Sequence, residues 1–374
     1  MKIPLVDLKE QYLQLKEEIH QAIDEVFKSC QFIKGPKVRT FEEEFASLQQ
    51  VDYCISVANG TDAISLTLKA LGVGCGDEVI VSANTWISSA EAVNQVGGKP
   101  VFVDIEADYY NMDVDDVARK ITPQTKAILA VHLYGQPANI EQLRSLCDEH
   151  SLFLLEDCAQ AHLAEFKGKK LGIFGHAATY SFFPSKNIGA YGDAGAVTTN
   201  DLGLAEKVRR LANHGALNKH DHLFPGTNSR MDALQAALLG VKLKYAEGWK
   251  SQRRYLAGIY NELLAGCDYI VTPAVRPGGT HVYHLYAVRV KKRAALQQYL
   301  TTKGVGTGIH YPRPLPFVEA YASYGHTRDD FPIASQYQHE ILSLPIYPEL
   351  KKEAVEYVCE AIHSFFAATP ALVH

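Results

Sequence analysis

Two residues at two apparent strand ends carry the chemistry of this chain. Lys186 sits in the run Tyr180-Ser181-Phe182-Phe183-Pro184-Ser185-Lys186-Asn187-Ile188-Gly189. Asp157 closes the apolar run Leu152-Phe153-Leu154-Leu155-Glu156. A lysine amine that loses its proton condenses with an aldehyde to a Schiff base. Burial and a cationic neighbour lower its pKa enough for that. A carboxylate at the end of a buried strand is costly unless it is paired, and a pyridine nitrogen kept protonated is a fitting partner. Lysine and aspartate together are what pyridoxal phosphate chemistry needs. Read singly, each has an ordinary alternative: a surface lysine after a strand, and an aspartate that caps a helix or joins a local salt bridge.

Other residues fit the same ligand. Asn59-Gly60-Thr61-Asp62 lies between an apolar strand and a helical stretch. Free amides and a hydroxyl at a helix start bind phosphate, so Gly60 and Thr61 are phosphate candidates, with Ser181 adding a second hydroxyl. A simple Thr or Asp N-cap is the plainer reading. Trp86 follows another strand and offers an aromatic face to a cationic ring, or packs in the core. Gln160 is placed to reach the ring hydroxyl, whereas His162 reads equally well as a structural histidine. Asn228 and Arg230 before a long helix, and His310 and Tyr311 in a basic-aromatic turn, are candidate contacts from the small domain or a partner subunit. Tyr191 is a further candidate substrate contact. Cys158 adjoins Asp157 but has no histidine base assigned to it. The 15 histidines show no metal-ligand spacing with one another or with cysteine, so no metal site is expected.

The elements must bring these residues together. Apolar runs at 54–57, 78–82, 99–103, 127–131, 152–156, 179–183 and 194–198 alternate with helical stretches that include 60–71, 87–96, 140–150 and 204–212. This is the pattern of a mainly parallel sheet covered by helices. Ligands then gather at the carboxyl ends of the strands, where the candidates fall. Helices are expected at 6–29 and 39–49 before this block, and one long helix at 231–253 after it. The rest mixes helices with strands such as 281–290. The expected division is a large domain over 1–250 and a small α+β domain over 251–374. The polar stretch 218–228 reads as a mobile excursion.

Composition is that of a soluble globular chain: 374 residues, 47% hydrophobic, 21% charged, net charge -5. The mildly acidic balance leaves no footprint for nucleic acid or an anionic membrane. No apolar run reaches membrane-spanning length, and the start lacks a signal peptide's apolar segment. Seven scattered cysteines with no Cys-x-x-Cys pair read as free thiols in a reducing compartment. The expected location is the cytoplasm.

With these motifs in view, the chain resembles the DegT/DnrJ/StrS family of nucleotide-sugar aminotransferases. The likeness runs nearly end to end, through Ile3-Pro4-Leu5-Val6-Asp7-Leu8, Phe32-Ile33-Lys34-Gly35-Pro36, Asn59-Gly60-Thr61-Asp62-Ala63, Glu156-Asp157-Cys158-Ala159-Gln160-Ala161-His162 and Ser181 to Gly189. The resemblance implies a fold-type-I (aspartate aminotransferase-like) homodimer with its sites at the subunit interface. It implies Lys186 as the Schiff-base lysine, Asp157 on the pyridine nitrogen and Trp86 in the ring-stacking position. Gly60, Thr61 and Ser181 would hold the phosphate, with Asn228 reaching in from the other subunit. The implied donor is L-glutamate, the acceptor a keto-deoxysugar on a nucleoside diphosphate, and pyridoxamine phosphate the intermediate form of the cofactor. Two departures stand out, Leu163 in place of a common glycine and His176 in place of a small or acidic residue, both expected to flank the site.

The segment Ile309-His310-Tyr311-Pro312 is more similar to members acting on 3-keto sugars than to 4-keto enzymes. This leans the reading toward a 3-keto-6-deoxyhexose on dTDP. The 4-keto reaction, a non-transaminating dehydratase and a regulatory homologue that binds the cofactor stay open. Relatives that dehydrate carry histidine at the lysine position, so Lys186 argues for transamination. A nicotinamide enzyme would need a Gly-x-Gly-x-x-Gly turn after the first strand, which Ala58-Asn59-Gly60-Thr61 does not supply.

Overall fold

The computed structural model describes residues 1–368. Two helices come first, α1 (Leu8–Ser29) and α2 (Pro36–Gln49). Asp7 Oδ1 accepts the amides of Lys9 and Glu10, each at 3.1 Å, and so starts α1 by satisfying donors that no helical carbonyl reaches. Pro36 opens α2 three residues ahead of the expected 39–49, because its fixed φ suits a first helical turn.

Strands and helices then alternate: β1 (Tyr53–Val57), α3 (Gly60–Ala70), β2 (Glu78–Ser82), α4 (Ser88–Gln95), β3 (Lys99–Val103), α5 (Val114–Lys120), β4 (Thr125–Val131), α6 (Ile140–His150) and β5 (Phe153–Asp157). A short ribbon, β6 (Glu165–Phe166) with β7 (Lys169–Lys170), precedes β8 (Ala177–Ser181), β9 (Gly195–Thr199) and α7 (Leu202–Leu211). Seven strands form one sheet in the order β1-β9-β8-β5-β4-β2-β3. The pairs from β3 through β8 are parallel, and β9 runs against both of its neighbours. The apolar runs therefore mark sheet strands covered on both faces. One run is displaced: the strand expected at 179–183 is Ala177–Ser181, so Phe182 and Phe183 lie beyond the sheet. Phe182 is buried edge-on against Phe41 and Phe45 of α2, with ring centroids 5.4 and 5.2 Å away.

The long helix expected at 231–253 is two, α8 (Ala233–Leu243) and α9 (Ala246–Leu263). The Tyr245 amide bonds back to Lys242, an i→i−3 contact that tightens the turn between them. α8 packs with the large core, whereas α9 turns its Leu256 and Tyr260 into a second core. Around that second core lie β10 (Tyr286–Arg289), α10 (Arg293–Thr302), β11 (Ile341–Leu344) and α12 (Lys352–Ala368), whereas α11 (Pro332–Tyr337) packs its Ala334 and Tyr337 against the large sheet. β10 and β11 pair antiparallel, Tyr286 opposite Leu344. Ile3 is buried in the same core and pairs with Val305. The stretch 218–228 is tied down rather than free: Arg210 Nη1 holds the Asp221 carboxylate at 3.0 Å, and the Leu223 amide donates to Gly215 O at 3.0 Å.

The two parts are stitched closely. Asp104, just past β3, accepts the amides of Ile333 (2.8 Å) and Ala334 (2.9 Å) at the start of α11. Leu315 N donates to Ala83 O at 2.7 Å, and Val282 N to Gly135 O at 2.8 Å. These bonds bring the segments carrying His284 and Tyr311 against the strand ends of the large sheet.

Candidate active site

A cavity of about 650 Å³ opens at the carboxyl ends of β5 and β8. Asp157 and Thr179 are register partners on these adjacent strands. Beyond Ser181 the chain turns tightly, with Lys186 N donating to Phe183 O at 2.8 Å. A Cβ on Gly189 would stand 2.2 Å from Pro184 O, so only glycine lets this turn close and present Lys186 to the cavity.

Desolvation lowers the Lys186 amine to about 8, while Asp157 pulls the other way. At neutral pH a useful fraction is then free amine. Asp157 is 6% exposed, and its Oδ1 accepts the Ala159 amide at 2.9 Å. Burial pushes its carboxyl above the usual range, opposed by the Ala159 amide and by Lys186. A cation seated against this carboxylate would relieve the cost of its burial.

The Gly60 end of α3 faces Ser181 so closely that a Cβ on Gly60 would sit 2.7 Å from the serine Cβ. Asn59 caps this helix, its side chain taking the Asp62 amide at 2.8 Å. The amides of Gly60 and Thr61 remain at the helix start, where the dipole favours an anion. Thr61 Oγ1 contacts Ser88 Oγ at 2.7 Å. Ser181 Oγ accepts the Phe183 amide at 3.3 Å, which leaves its own hydrogen to donate.

Trp86 is 58% exposed and lies 5.8 Å from the Tyr311 ring. Gln160 is fixed at both ends of its amide: Oε1 accepts Tyr134 N at 2.7 Å and Nε2 donates to Tyr311 OH at 3.1 Å. His310 Nδ1 pairs with Ser343 Oγ of β11 at 2.9 Å, and burial with the nearby Lys186 lowers its imidazole to about 4. Thus Gly60, Thr61, Trp86, Asp157, Gln160, Ser181, Lys186, His310 and Tyr311 meet around one cavity.

Three expected contacts lie elsewhere. Tyr191 does not line the cavity. Lys242 of α8 stands 3.9 Å over its ring, and its hydroxyl is sealed from solvent with no partner, so it cannot meet a substrate there. Asn228 is exposed and bridges to Asn213, while Arg230 Nη1 donates to Asn213 Oδ1 at 3.2 Å. Both sit outside this chain's cavity.

Neither departure flanks the site. Leu163 is 1% exposed in the large core, at φ +64°. His176 precedes β8 at the opposite end from Lys186, where its Nδ1 accepts the Leu154 amide at 3.0 Å. His162 is buried between the rings of Tyr180 and Phe182, and burial lowers it to about 3, a structural histidine. Burial also drives the Cys158 thiol far up, which leaves no thiolate nucleophile.

His132, Glu156 and Cys158 come together like metal ligands, but their atoms are committed. His132 Nε2 donates to Glu156 Oε2 at 2.9 Å and its Nδ1 accepts Ala138 N, while the Glu156 carboxylate also takes the amides of Gly172, Phe174 and Gly175. The cavity residues that the sequence did not single out include Ser88, Ser89 and His284. His284 was masked by its run of apolar and aromatic neighbours. A histidine kept inside the run expected as a strand over 281–290 was the available signal.

Pyridoxal phosphate fits what is present: an amine lowered by burial, a carboxylate short of a cation, and helix amides with a serine hydroxyl across a glycine. The fold and this site are those of a pyridoxal-phosphate enzyme of fold type I. The chain belongs to the DegT/DnrJ/EryC1/StrS aminotransferase family, whose sequence pattern matches residues 13–363. It is 45% identical over 368 residues to a protein of Geobacillus stearothermophilus named pleiotropic regulatory protein, covering 98% of this chain and 99% of that one. It is 44% identical over 363 residues to the dTDP-3-amino-3,6-dideoxy-alpha-D-galactopyranose transaminase of Aneurinibacillus thermoaerophilus, covering 97% and 99%. Among solved structures, DesV of Streptomyces venezuelae, in complex with a ketimine intermediate, superposes with a TM-score of 0.96 at 40% identity over 97% of this chain and 98% of its own. NtdA of Bacillus subtilis, with bound cofactor PMP, gives 0.90 at 32% identity, covering 98% and 85%. The protein is a pyridoxal-phosphate-dependent aminotransferase.

Proposed function

We propose that this enzyme moves an amino group from L-glutamate to the keto group of a deoxysugar carried on a nucleoside diphosphate, with a lean toward C-3 of a dTDP-linked 6-deoxyhexose. The single observation that carries the transamination is the Lys186 amine at about 8 beside the buried Asp157. The named transaminase relative supports the sugar.

When bound, pyridoxal phosphate supplies an aldehyde for the lysine and a ring that draws electrons from the reacting carbon. Lys186 Nζ would serve as the base that takes a proton from the donor's carbon and, in the other half-reaction, as the acid that supplies one to the acceptor's carbon. Asp157 keeps the pyridine nitrogen protonated. Gly60, Thr61 and Ser181 would hold the phosphate, the Gln160–Tyr311 pair would contact the ring, and Trp86 would offer it an aromatic face.

A second copy of the chain completes the site in this reading, bringing Asn228 and Arg230. Exposed Trp86 and Phe183 at the cavity, and exposed Phe27, Phe32 and Ile33 beside the start of α8, support a covered apolar face. The free cysteines, Cys30 to Cys359, suit the cytoplasm, and among the described residues no helix is long and apolar enough to cross a membrane.

Absorbance of the holoenzyme tests the reading. L-glutamate should shift the visible-edge band to the near ultraviolet, and a panel of 3-keto and 4-keto nucleotide sugars should restore it. A regulatory role, favoured by the name of the Geobacillus relative, would instead leave the band unmoved by glutamate.

A further inference from the structure

The wall of the cavity facing Lys186 from the small domain is built around His284, which precedes β10 and is 9% exposed. Its neighbour is Asn187, the residue after the lysine. Asn187 Nδ2 donates to Val282 O at 3.2 Å, so its Oδ1 is the acceptor and His284 Nδ1–H the donor at 3.2 Å. That bond fixes the tautomer and leaves a lone pair on Nε2. Nε2 has no protein partner, is not among the sealed polar atoms, and His284 lines the cavity.

We propose that Nε2 of His284 accepts a hydrogen bond from a hydroxyl of the molecule bound in the cavity, making this wall the part of the site that reads the acceptor sugar. The proposal rests on the nucleotide-sugar reading above and names one residue of its recognition. Charge argues for a hydroxyl over a carboxylate. Burial, then Lys186, Arg253, His310 and His162, hold the His284 imidazole well below its ordinary value. A neutral ring with an outward lone pair repels a carboxylate and accepts from a hydroxyl. Leaving such a buried acceptor unmatched costs free energy, so a ligand lacking the hydroxyl is disfavoured. His284 is therefore a specificity residue for the acceptor half-reaction.

The test is equilibrium binding to enzyme loaded with pyridoxamine phosphate. dTDP-glucose and UDP-N-acetylglucosamine carry hydroxyls but no ketone, so they bind without reacting. His284→Phe should weaken the nucleotide sugar about tenfold and leave dTDP or UDP within about twofold. His284→Gln, which retains an acceptor, should stay within about threefold of wild type. In the free enzyme, the pH at which Lys186 becomes acetylated should be unchanged in both variants. Equal weakening of sugar and bare nucleotide, no weakening of either, or a displaced Lys186 titration would overturn the proposal. Wild-type enzyme that binds neither nucleotide sugar would instead bring down the nucleotide-sugar reading itself, an outcome distinguishable because it needs no variant.

Discussion

Asp157 and Lys186 set each other's protonation, and the signs of that coupling are testable. Asp157 raises the Lys186 amine against the desolvation that lowers it. Asp157→Asn should therefore move the Lys186 titration below about 8, as read by pH-dependent acetylation and mass spectrometry of the apoenzyme. Conversely, the Lys186 cation lowers His310. Lys186→Met should raise His310 from about 4, seen as a later imidazole titration by NMR, while abolishing transamination. A His310 value unmoved in this variant would mean that burial alone sets it. Lys186 and Asp157 were legible in the sequence because a charge that ends an apolar run must be paired or used. His284 was not, since an imidazole among apolar and aromatic neighbours in an expected strand looks like packing until its free nitrogen is seen to face a cavity. Tyr191 misled for the opposite reason. Its place five residues after the lysine says nothing about which way its ring turns, and Lys242 turns it toward α8.

At the scale of elements, local strain and packing compete at Leu163. Its left-handed backbone costs about 1–2 kcal/mol for a side chain with a Cβ. Its burial in the core is worth more, because deleting a buried leucine costs about 2–5 kcal/mol. Leu163→Gly should thus lose roughly 1–3 kcal/mol in urea unfolding rather than gain stability. Phe182 carries the lysine-bearing segment onto α2, and Phe182→Ala should cost about 3–5 kcal/mol. The same variant should load cofactor poorly, which spectral titration would show.

The seven sheet strands could be read from apolar runs because parallel strands buried on both faces need little else. The break between α8 and α9 could not. No proline or glycine marks it, and only the choice between two cores bends the chain there. The reach of the segment that bears Phe182 was also hidden, since its aromatic residues continue the pattern of the strand they have just left.

At the scale of the whole molecule, the cavity is a meeting of two cores and, in the proposed assembly, of two subunits. Sedimentation should give a mass twice the 41.3 kDa of the chain. Mixing inactive Lys186→Ala with Asn228→Ala chains should then yield hybrid dimers with one wild-type site, recovering activity that neither variant has alone. No recovery would place Asn228 outside the neighbouring site. Asp104 ties the end of β3 to the start of α11, so Asp104→Ala should cost about 1–2 kcal/mol and loosen cofactor binding beyond what the distance from Lys186 suggests. The overall plan was legible from the order of the motifs. The seam was not, because Asp104, Ala83 and Gly135 meet partners more than a hundred residues away.

The pairing of Ile3 with Val305 has a consequence for how the chain is made. Residue 3 leaves the ribosome roughly 15–60 s ahead of its partner at 5–20 residues per second. Until then an isoleucine destined to be 2% exposed has nowhere to go. The large sheet can assemble during this wait, whereas the small core cannot close. A bulky fusion ahead of Met1 would press on Gly304, whose missing Cβ leaves room for the Met1 carbonyl. It would therefore hinder closure of the small core, about three hundred residues further along the chain.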